Sequence, residues 1–210
     1  MDLTRLLHTV DPLEIQGNPS GTCESLCYDS RGCGPGSLFV AVPGLKTDGH
    51  AHIADALGRG ARVVVHEAPW TPPPGVTAVR VADARRALGR LARNFFGDPS
   101  TALTLVAVTG TNGKTTVTYL LEAILRAAGH RVGVLGTVNY RYGEKTFAAP
   151  NTTPESCELQ RLLRQMADAG VTHVVAEVSS HAVDLKRVDE VAFDIGVFTN
   201  LSQDHLDYHG

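Results

Sequence analysis

The sequence predicts an α/β protein in which a small N-terminal domain precedes a second domain with a mostly parallel sheet. Short strands rich in β-branched residues alternate with amphipathic helices along the whole chain of 210 residues. A Gly-Asp-Pro-Ser segment at 97–100 closes one helix pattern, and a new series of strands begins after it. We therefore predict domains at 1–98 and 99–210, with helices covering both faces of the parallel sheet.

The first domain is predicted to contain three strands and two helices. The strands are short apolar runs at 37–42, 61–67 and 76–81. Apolar residues at helical spacing predict a helix after the first strand and another after the third. The residues predicted to face the core are Ile53, Ala54 and Leu57 in the first helix, and Leu88, Leu91, Ala92 and Phe95 in the second.

The second domain is predicted to contain four strands, at 103–109, 131–136, 172–178 and 193–199. One helix begins near Lys114 and is stopped by Gly129, and another follows Thr153, a predicted N-cap, with Pro154 in its first position. The predicted inward residues are Val117, Leu120, Leu121, Ile124, Leu125 and Ala128 in the first of these helices, and Leu159, Leu162, Leu163 and Met166 in the second.

Composition excludes several classes of function. The formal net charge of -3 offers no basic footprint for nucleic acid or an anionic membrane. The N-terminus lacks the continuous apolar core of a signal peptide, and no run is long enough to span a bilayer. Cys23, Cys27 and Cys33 lie close together, but their spacing does not fit the usual zinc pairs. We therefore expect a soluble, monomeric, cytoplasmic protein with reduced thiols.

The segment TGTNGKTT, at 109–116, predicts a phosphate-binding loop of an unusual build. Val108 stands where the common loop pattern has its first glycine, yet a buried strand precedes the turn and an amphipathic helix follows it. That order directs the free N–H groups at the start of the helix toward a phosphate chain. The alternative is a glycine-rich turn with an exposed lysine. The predicted ATP-binding residues are Gly110, Thr111, Asn112, Gly113, Lys114, Thr115 and Thr116.

This loop resembles the ATP loop of the Mur ligases, enzymes that join an amino acid to a carboxylate through an acyl phosphate. The first domain, from the YDSR segment at 28–31 through residue 65, is similar to the uridine-nucleotide-binding domain of the family. The resemblance implies that Ser30 contacts the UDP part of the substrate. It also implies ATP and Mg²⁺ as cofactors, with Lys114 and Thr115 serving the phosphates and the metal.

Three further motifs resemble the branch that adds the third residue to UDP-N-acetylmuramoyl-L-alanyl-D-glutamate. They are NTTPE at 151–155, AEVSSHAVDLKRV at 176–188, and FTNLSQDHLDYHG at 198–210. The resemblance implies Glu177 and His205 as metal-binding, catalytic groups beside Lys114. It implies substrate contacts from Asn151, Thr152, Thr153, Ser179 and Arg187. Leu185 replaces a glutamine of some family members, so that contact is not expected.

The same resemblance leads us to expect further parts beyond Gly210. These parts are a carbamylated lysine that helps to bind a second magnesium and a third domain for the incoming amino acid, a diamino acid by expectation. This chain is therefore expected to be the amino-terminal portion of a longer ligase and to be inactive alone. Two alternatives stay open: a non-catalytic module that binds a UDP-sugar peptide, and another class of P-loop ATPase. A zinc site at His205, Asp207 and His209 is disfavoured, because magnesium chemistry on phosphates is already implied.

Overall fold

The computed structural model describes residues 1–44, 47–203 and 208, and it confirms the α/β fold. The chain divides into two compact units, Met1–Gly97 and Asp98–Gly210. The division lies one residue before the boundary predicted from the Gly-Asp-Pro-Ser segment. Each unit is built on its own sheet.

The first unit contains a five-stranded sheet flanked by helices. Its elements are α1 (Leu3–Leu7), β1 (Glu14–Gln16), β2 (Ser25–Cys27), β3 (Ser37–Val40), α2 (Ile53–Gly58), β4 (Val63–His66), β5 (Thr77–Arg80) and α3 (Ala84–Phe95). The strand order is β1-β5-β4-β3-β2, with β2 to β5 parallel and β1 antiparallel at the edge. The three predicted strands and two predicted helices are present. The short elements α1 and β1 were not predicted.

The inward face of α2 differs from the prediction at one residue. A 3₁₀ turn at Gly49–His52 precedes the helix, and Ile53 is then buried at its first position. Ala56, three residues later, packs with Ile53 and Phe39 in the core, whereas Ala54 is exposed. The predicted inward position of Ala54 is therefore wrong, because the phase of this short helix is set by Ile53 and Ala56.

The second unit contains a six-stranded sheet. Its elements are β6 (Thr104–Thr109), α4 (Lys114–Ala127), β7 (Val132–Leu135), β8 (Asn139–Tyr142), β9 (Lys145–Ala148), α5 (Ser156–Asp168), β10 (His173–Glu177), α6 (Ser180–Asp184) and β11 (Ile195–Phe198). The order is β11-β6-β10-β7-β8-β9. The four predicted strands are the parallel ones, and the antiparallel hairpin β8–β9 extends the sheet beyond the prediction.

Helices cover both faces of the parallel part of this sheet. Leu105 and Leu135 pack into one apolar cluster with the predicted inward residues of α5, while Val106 and Val134 pack into another with residues of α4. Neighbouring residues of one strand point to opposite faces, so β6, β7 and β10 each contribute to both clusters. This arrangement leaves the carboxyl ends of β6, β7 and β10 free to carry a site.

The apolar face of α4 is only partly buried. Val117, Leu121 and Leu125 pack on the sheet, but Leu120 is 58% exposed and Ile124 is 63% exposed. Ala128 is exposed as well, so the predicted inward position of these three residues is wrong. The helix turns a different side toward the hairpin: Thr118 and Glu122 are buried, and Glu122 forms an ion pair with Arg141 of β8.

Candidate functional site

A glycine-shaped loop joins β6 to α4 at the carboxyl end of the sheet. Gly110 has a φ of 125°, and Gly113, the residue before the helix, has a φ of 84°. Both values lie in the region that glycine tolerates and other residues disfavour. A Cβ on Gly110 would lie 2.2 Å from Oγ1 of Thr199, so the backbone of the loop passes close to the segment after β11. The loop conformation therefore requires glycine at 110.

The side chain of Lys114 folds back over this loop. Its Nζ donates hydrogen bonds to the carbonyl oxygens of Gly110, at 2.7 Å, and Thr111, at 2.9 Å. The side chain is half-buried, unlike the exposed lysine of the glycine-turn alternative. A positive charge is thus held at the N-terminal end of α4, where the unpaired N–H groups of the helix also favour an anion.

A buried carboxylate lies at the end of β10, beside the loop. Glu177 is 2% exposed. Its Oε2 accepts hydrogen bonds from Oγ1 of Thr115, at 3.0 Å, and Oγ1 of Thr137, at 2.9 Å, and its Oε1 accepts one from the Thr137 N–H, at 3.2 Å. A Cβ on Gly136 would lie 2.3 Å from Oε1, so glycine at 136 makes room for the carboxylate.

The donor atoms at this point fit magnesium. Carboxylate and hydroxyl oxygens are hard ligands, and Mg²⁺ is commonly bound by one or two protein oxygens together with substrate phosphates. Glu177 and Thr115 supply such a pair beside the loop. Within the described residues no group of three or more His, Cys, Asp or Glu side chains could hold a metal. His205, the third predicted metal ligand, lies outside the described residues.

Thr137 is a site residue that sequence reasoning missed. It follows β7, so it lies at the same edge of the sheet as Glu177 and the loop. Besides its bonds to Glu177, its Oγ1 lies 3.1 Å from Oγ1 of Thr152. An ionised carboxylate only accepts hydrogen bonds, so Thr137 donates its proton to Glu177 and accepts one from Thr152. The sequence feature that could have identified Thr137 is the Gly136-Thr137 pair at the end of a predicted strand.

The NTTPE segment reaches the same edge, but it does not cap α5 as predicted. The helix begins at Ser156, and Glu155 is its N-cap, so the assignments of Thr153 as N-cap and Pro154 as first helical residue are wrong. Thr153 is buried instead: its Oγ1 donates to the Glu177 carbonyl oxygen, at 2.9 Å, and accepts from the Ser179 N–H, at 3.1 Å. Thr153 therefore ties this segment to β10.

Arg187 and Ser179 are held next to that segment. Nη1 of Arg187 donates to the Thr153 carbonyl oxygen at 3.1 Å, and its Nε lies 3.4 Å from Oε2 of Glu155. Ser179 is the N-cap of α6, where its side chain accepts from the Ala182 N–H. Asn151 and Thr116 are exposed. Together with Lys114 and the glycine loop, the structure thus brings six further predicted residues to one edge of the sheet: Thr115, Thr152, Thr153, Glu177, Ser179 and Arg187.

The segment after β11 is hydrogen-bonded to the loop between β6 and α4. The side-chain amide of Asn200 accepts from the Asn112 N–H and donates to the Asn112 carbonyl oxygen, both at 3.0 Å. Oγ1 of Thr111 donates to the Ser202 carbonyl oxygen at 3.1 Å, and Oγ1 of Thr199 donates to the Asn112 carbonyl oxygen at 2.7 Å. In this segment sequence reasoning selected only His205, and these polar residues were missed.

Ser30 lies in the first unit, where it begins a 3₁₀ turn after β2. It is 5% exposed, and its Oγ donates to Oδ2 of Asp55 at 2.6 Å. This hydrogen bond is the main reason that the pKa of Asp55 is lowered. Asp29 caps the turn through the Arg31 N–H. The predicted uridine-contacting serine is thus part of a polar turn and is buried.

Sequence models of the Mur ligase family match both units. The model described as the Mur ligase family catalytic domain matches residues 22–96, and the Mur ligase middle domain matches residues 108–210. The chain belongs to the Mur ligase family. In the described part of this Mur ligase chain, no helix is long and apolar enough to cross a membrane.

Individual relatives agree with the family models. The chain is 50% identical over 209 residues to the UDP-N-acetylmuramoyl-L-alanyl-D-glutamate--2,6-diaminopimelate ligase of Geobacter metallireducens, covering 100% of this chain and 41% of the relative. A solved ligase of the same name matches with a TM-score of 0.82 at 28% identity, covering 100% of this chain and 42% of that one.

A second solved relative is the MurF ligase of Thermotoga maritima in complex with ADP. It matches with a TM-score of 0.61 at 25% identity, over 89% of this chain and 39% of that one. The chain therefore spans about two fifths of the length of the relatives that it matches.

Proposed function

We propose that this chain supplies the UDP-sugar-binding and ATP-binding parts of a ligase that adds 2,6-diaminopimelate to UDP-N-acetylmuramoyl-L-alanyl-D-glutamate. The observation that carries the proposal is the buried Glu177 carboxylate, which is bonded to Thr115 of the phosphate loop and, through Thr137, linked to Thr152 of the NTTPE segment. One network thus joins the groups predicted for ATP to those predicted for the peptide. The names of the relatives support the choice of substrates.

The proposed reaction forms an amide in two steps. A carboxylate is unreactive toward amines because its oxygen is a poor leaving group. The D-glutamyl carboxylate therefore first attacks the γ-phosphorus of ATP. The products of this step are ADP and an acyl phosphate. The amine of the diamino acid then attacks the acyl carbon, and inorganic phosphate departs with the C–O electron pair. The protein contributes mainly positioning and charge stabilisation to phosphoryl transfer.

The residues near the loop have distinct roles in this proposal. Lys114 neutralises charge on the transferring phosphoryl group, and the loop N–H groups hold the phosphates. Glu177 and Thr115 would hold Mg²⁺, which supplies charge neutralisation on the phosphate oxygens. The Thr152 hydroxyl donates its proton to Thr137. Its oxygen can therefore only accept a hydrogen bond from the substrate. Arg187 offers a guanidinium to a carboxylate or phosphate of the peptide substrate.

Calorimetric titration and a turnover assay test the proposal together. The chain should bind ATP with magnesium and, separately, UDP-N-acetylmuramoyl-L-alanyl-D-glutamate. In the protein carrying this chain, phosphate release should require both the dipeptide substrate and 2,6-diaminopimelate. Phosphate release that needs neither would support another P-loop ATPase, and binding of both ligands without turnover would support a binding module. The monomeric state and the cytoplasmic location stay predictions.

Replacing Thr137 should separate magnesium-dependent from magnesium-independent ATP binding. Thr137→Val removes a hydroxyl that donates to the carboxylate, and a hydrogen bond to a charged group contributes about 1.5 kcal/mol or more. We expect ATP affinity with magnesium to fall about tenfold. Affinity in EDTA should stay unchanged, and Thr137→Ser should behave as wild type. An equal loss with and without magnesium would contradict this role for Thr137.

A further inference from the structure

Two thiols in the first unit lie within contact distance beside the Ser30 turn. Sγ of Cys33 is 3.0 Å from Sγ of Cys27, and neither cysteine is in a disulfide. Cys27 ends β2, and Cys33 follows the 3₁₀ turn Ser30–Gly32. A disulfide needs a sulfur separation of about 2.05 Å, so the two sulfurs need to approach by only about 1 Å.

We propose that Cys27 and Cys33 form a redox-sensitive dithiol, which a hydroperoxide converts to an intramolecular disulfide. The pair lies in the first unit and the phosphate-loop site in the second, and the proposed synthetic reaction uses neither thiol. In a compartment that keeps thiols reduced, disulfides that do form are mostly transient and redox-sensing.

The hydrogen bond between the two thiols makes their pKa values differ, and this difference determines which thiol reacts first with the hydroperoxide. Cys33 donates its S–H to Cys27 and thereby lowers the pKa of Cys27 to about 7. The same bond, together with burial, raises the pKa of Cys33. Thiolates are the nucleophiles in peroxide and disulfide chemistry, so Cys27 is the attacking group. Cys27 is buried, but Cys33 beside it is partly exposed, and a hydroperoxide is small enough to approach through this side.

The chemistry balances with one peroxide for each pair. The Cys27 thiolate attacks a peroxide oxygen, the O–O bond breaks, and a sulfenic acid forms while hydroxide leaves. The hydroxide becomes the first water by taking up the proton that the Cys27 thiol lost on ionisation. The Cys33 sulfur then attacks the Cys27 sulfur, and the hydroxyl group leaves as water with the proton of the Cys33 thiol. Two electrons pass from the sulfurs to the peroxide, which is reduced to two waters.

Cys23 provides a nearby matched control. It is 2% exposed, its Sγ lies 3.3 Å from the Ser25 carbonyl oxygen, and burial raises its pKa. Its thiol is therefore both less accessible and less ionised than that of Cys27. The ring closed by a Cys27–Cys33 disulfide contains Asp29 and Ser30, so oxidation constrains the turn that carries the predicted uridine-contacting serine.

Peptide mapping of the whole chain tests the proposal. After brief treatment with hydrogen peroxide, the mass should fall by about 2 Da, as expected when a disulfide forms, and dithiothreitol should restore it. Trypsin cleavage after the exposed Arg31 places Cys27 and Cys33 in different peptides, 6–31 and 32–46. Those peptides should stay joined after oxidation of wild type and of Cys23→Ser, and should separate in Cys27→Ser.

Several outcomes would overturn the proposal. Oxygen addition at Cys27 or Cys33 without joined peptides would show that the two sulfurs do not combine. Joined peptides that persist in Cys27→Ser but disappear in Cys23→Ser would assign the bond to Cys23. A disulfide found only between two chains would exclude the intramolecular reaction. If a variant folds poorly, fragmentation of the joined wild-type peptides between Cys23 and Cys27 shows which of these two cysteines carries the bond.

Discussion

Lys114→Ala should reduce ATP turnover by about a hundredfold in the protein carrying this chain. The loss corresponds to on the order of 3 kcal/mol of charge stabilisation on the transferring phosphoryl group. The lysine also bonds the carbonyl oxygens of Gly110 and Thr111, so its removal loosens the loop before any ligand binds. In this chain, titration calorimetry should show weaker ATP binding, while binding of the UDP-sugar dipeptide stays unchanged.

Lys145→Ala is the matched control for this prediction. It removes the same charge from the same unit, but Lys145 is an exposed residue of β9, where its Nζ lies 5.5 Å from the centre of the Tyr142 ring. We expect ATP binding and turnover of this variant to match wild type. Comparable losses in the two variants would show that net charge, rather than the position of Lys114, controls binding. Turnover of Lys114→Ala within a few-fold of wild type would refute its catalytic role.

The sequence was sufficient to predict the elements that bury apolar residues on a regular period. The strands β6, β7, β10 and β11 follow from runs of Val, Leu, Ala and Ile, and α5 follows from Leu159, Leu162, Leu163 and Met166, all of which are buried. The glycine-shaped loop between β6 and α4 was also predictable, because its glycines and lysine stand between a buried strand and a helix. Its binding of phosphate stays a prediction. Elements of this kind can be predicted from the local sequence alone, without knowing which distant segments they contact.

Contacts between distant segments decided the features that the sequence did not predict. Thr153 resembles a helix cap locally, but its hydroxyl bonds to Glu177 and Ser179 of another segment. Leu120 has the spacing of a core residue, but the ion pair of buried Glu122 with half-buried Arg141 turns the helix toward the hairpin. The role of Thr137 depends on two parallel strands ending at one edge. None of these contacts leaves a periodic pattern in the sequence.

Gly110→Ala is expected to disrupt the loop between β6 and α4. An added Cβ would lie 2.2 Å from Oγ1 of Thr199 and 2.8 Å from the Asn200 carbonyl oxygen, and the backbone oxygen cannot move away by rotating a side chain. The φ of 125° adds strain of its own. Together these effects should destabilise the second unit by about 3 kcal/mol or more.

The substitution should also affect ATP binding, because the segment after β11 that it displaces is hydrogen-bonded to the loop. Asn200 and Thr199 bond the Asn112 carbonyl oxygen, so moving them away from Gly110 releases the middle of the loop. We expect ATP binding by Gly110→Ala to fall below detection in calorimetry even at temperatures where circular dichroism shows the chain to be folded. Thermal unfolding measured by the same signal gives the loss of stability.

Gly129→Ala separates the two causes of the lost stability, which are the close contact of the added Cβ and the strain of a positive φ. Gly129, just after α4, also has a positive φ, 86°, but an added Cβ would meet nothing within 4 Å. Its replacement should therefore cost only the left-handed strain of about 1 to 2 kcal/mol, and ATP binding should survive. If Gly110→Ala loses no more stability than Gly129→Ala and still binds ATP, the close approach of the loop to Thr199 and Asn200 is not required. The residues after β11 would then have no part in shaping the candidate nucleotide site.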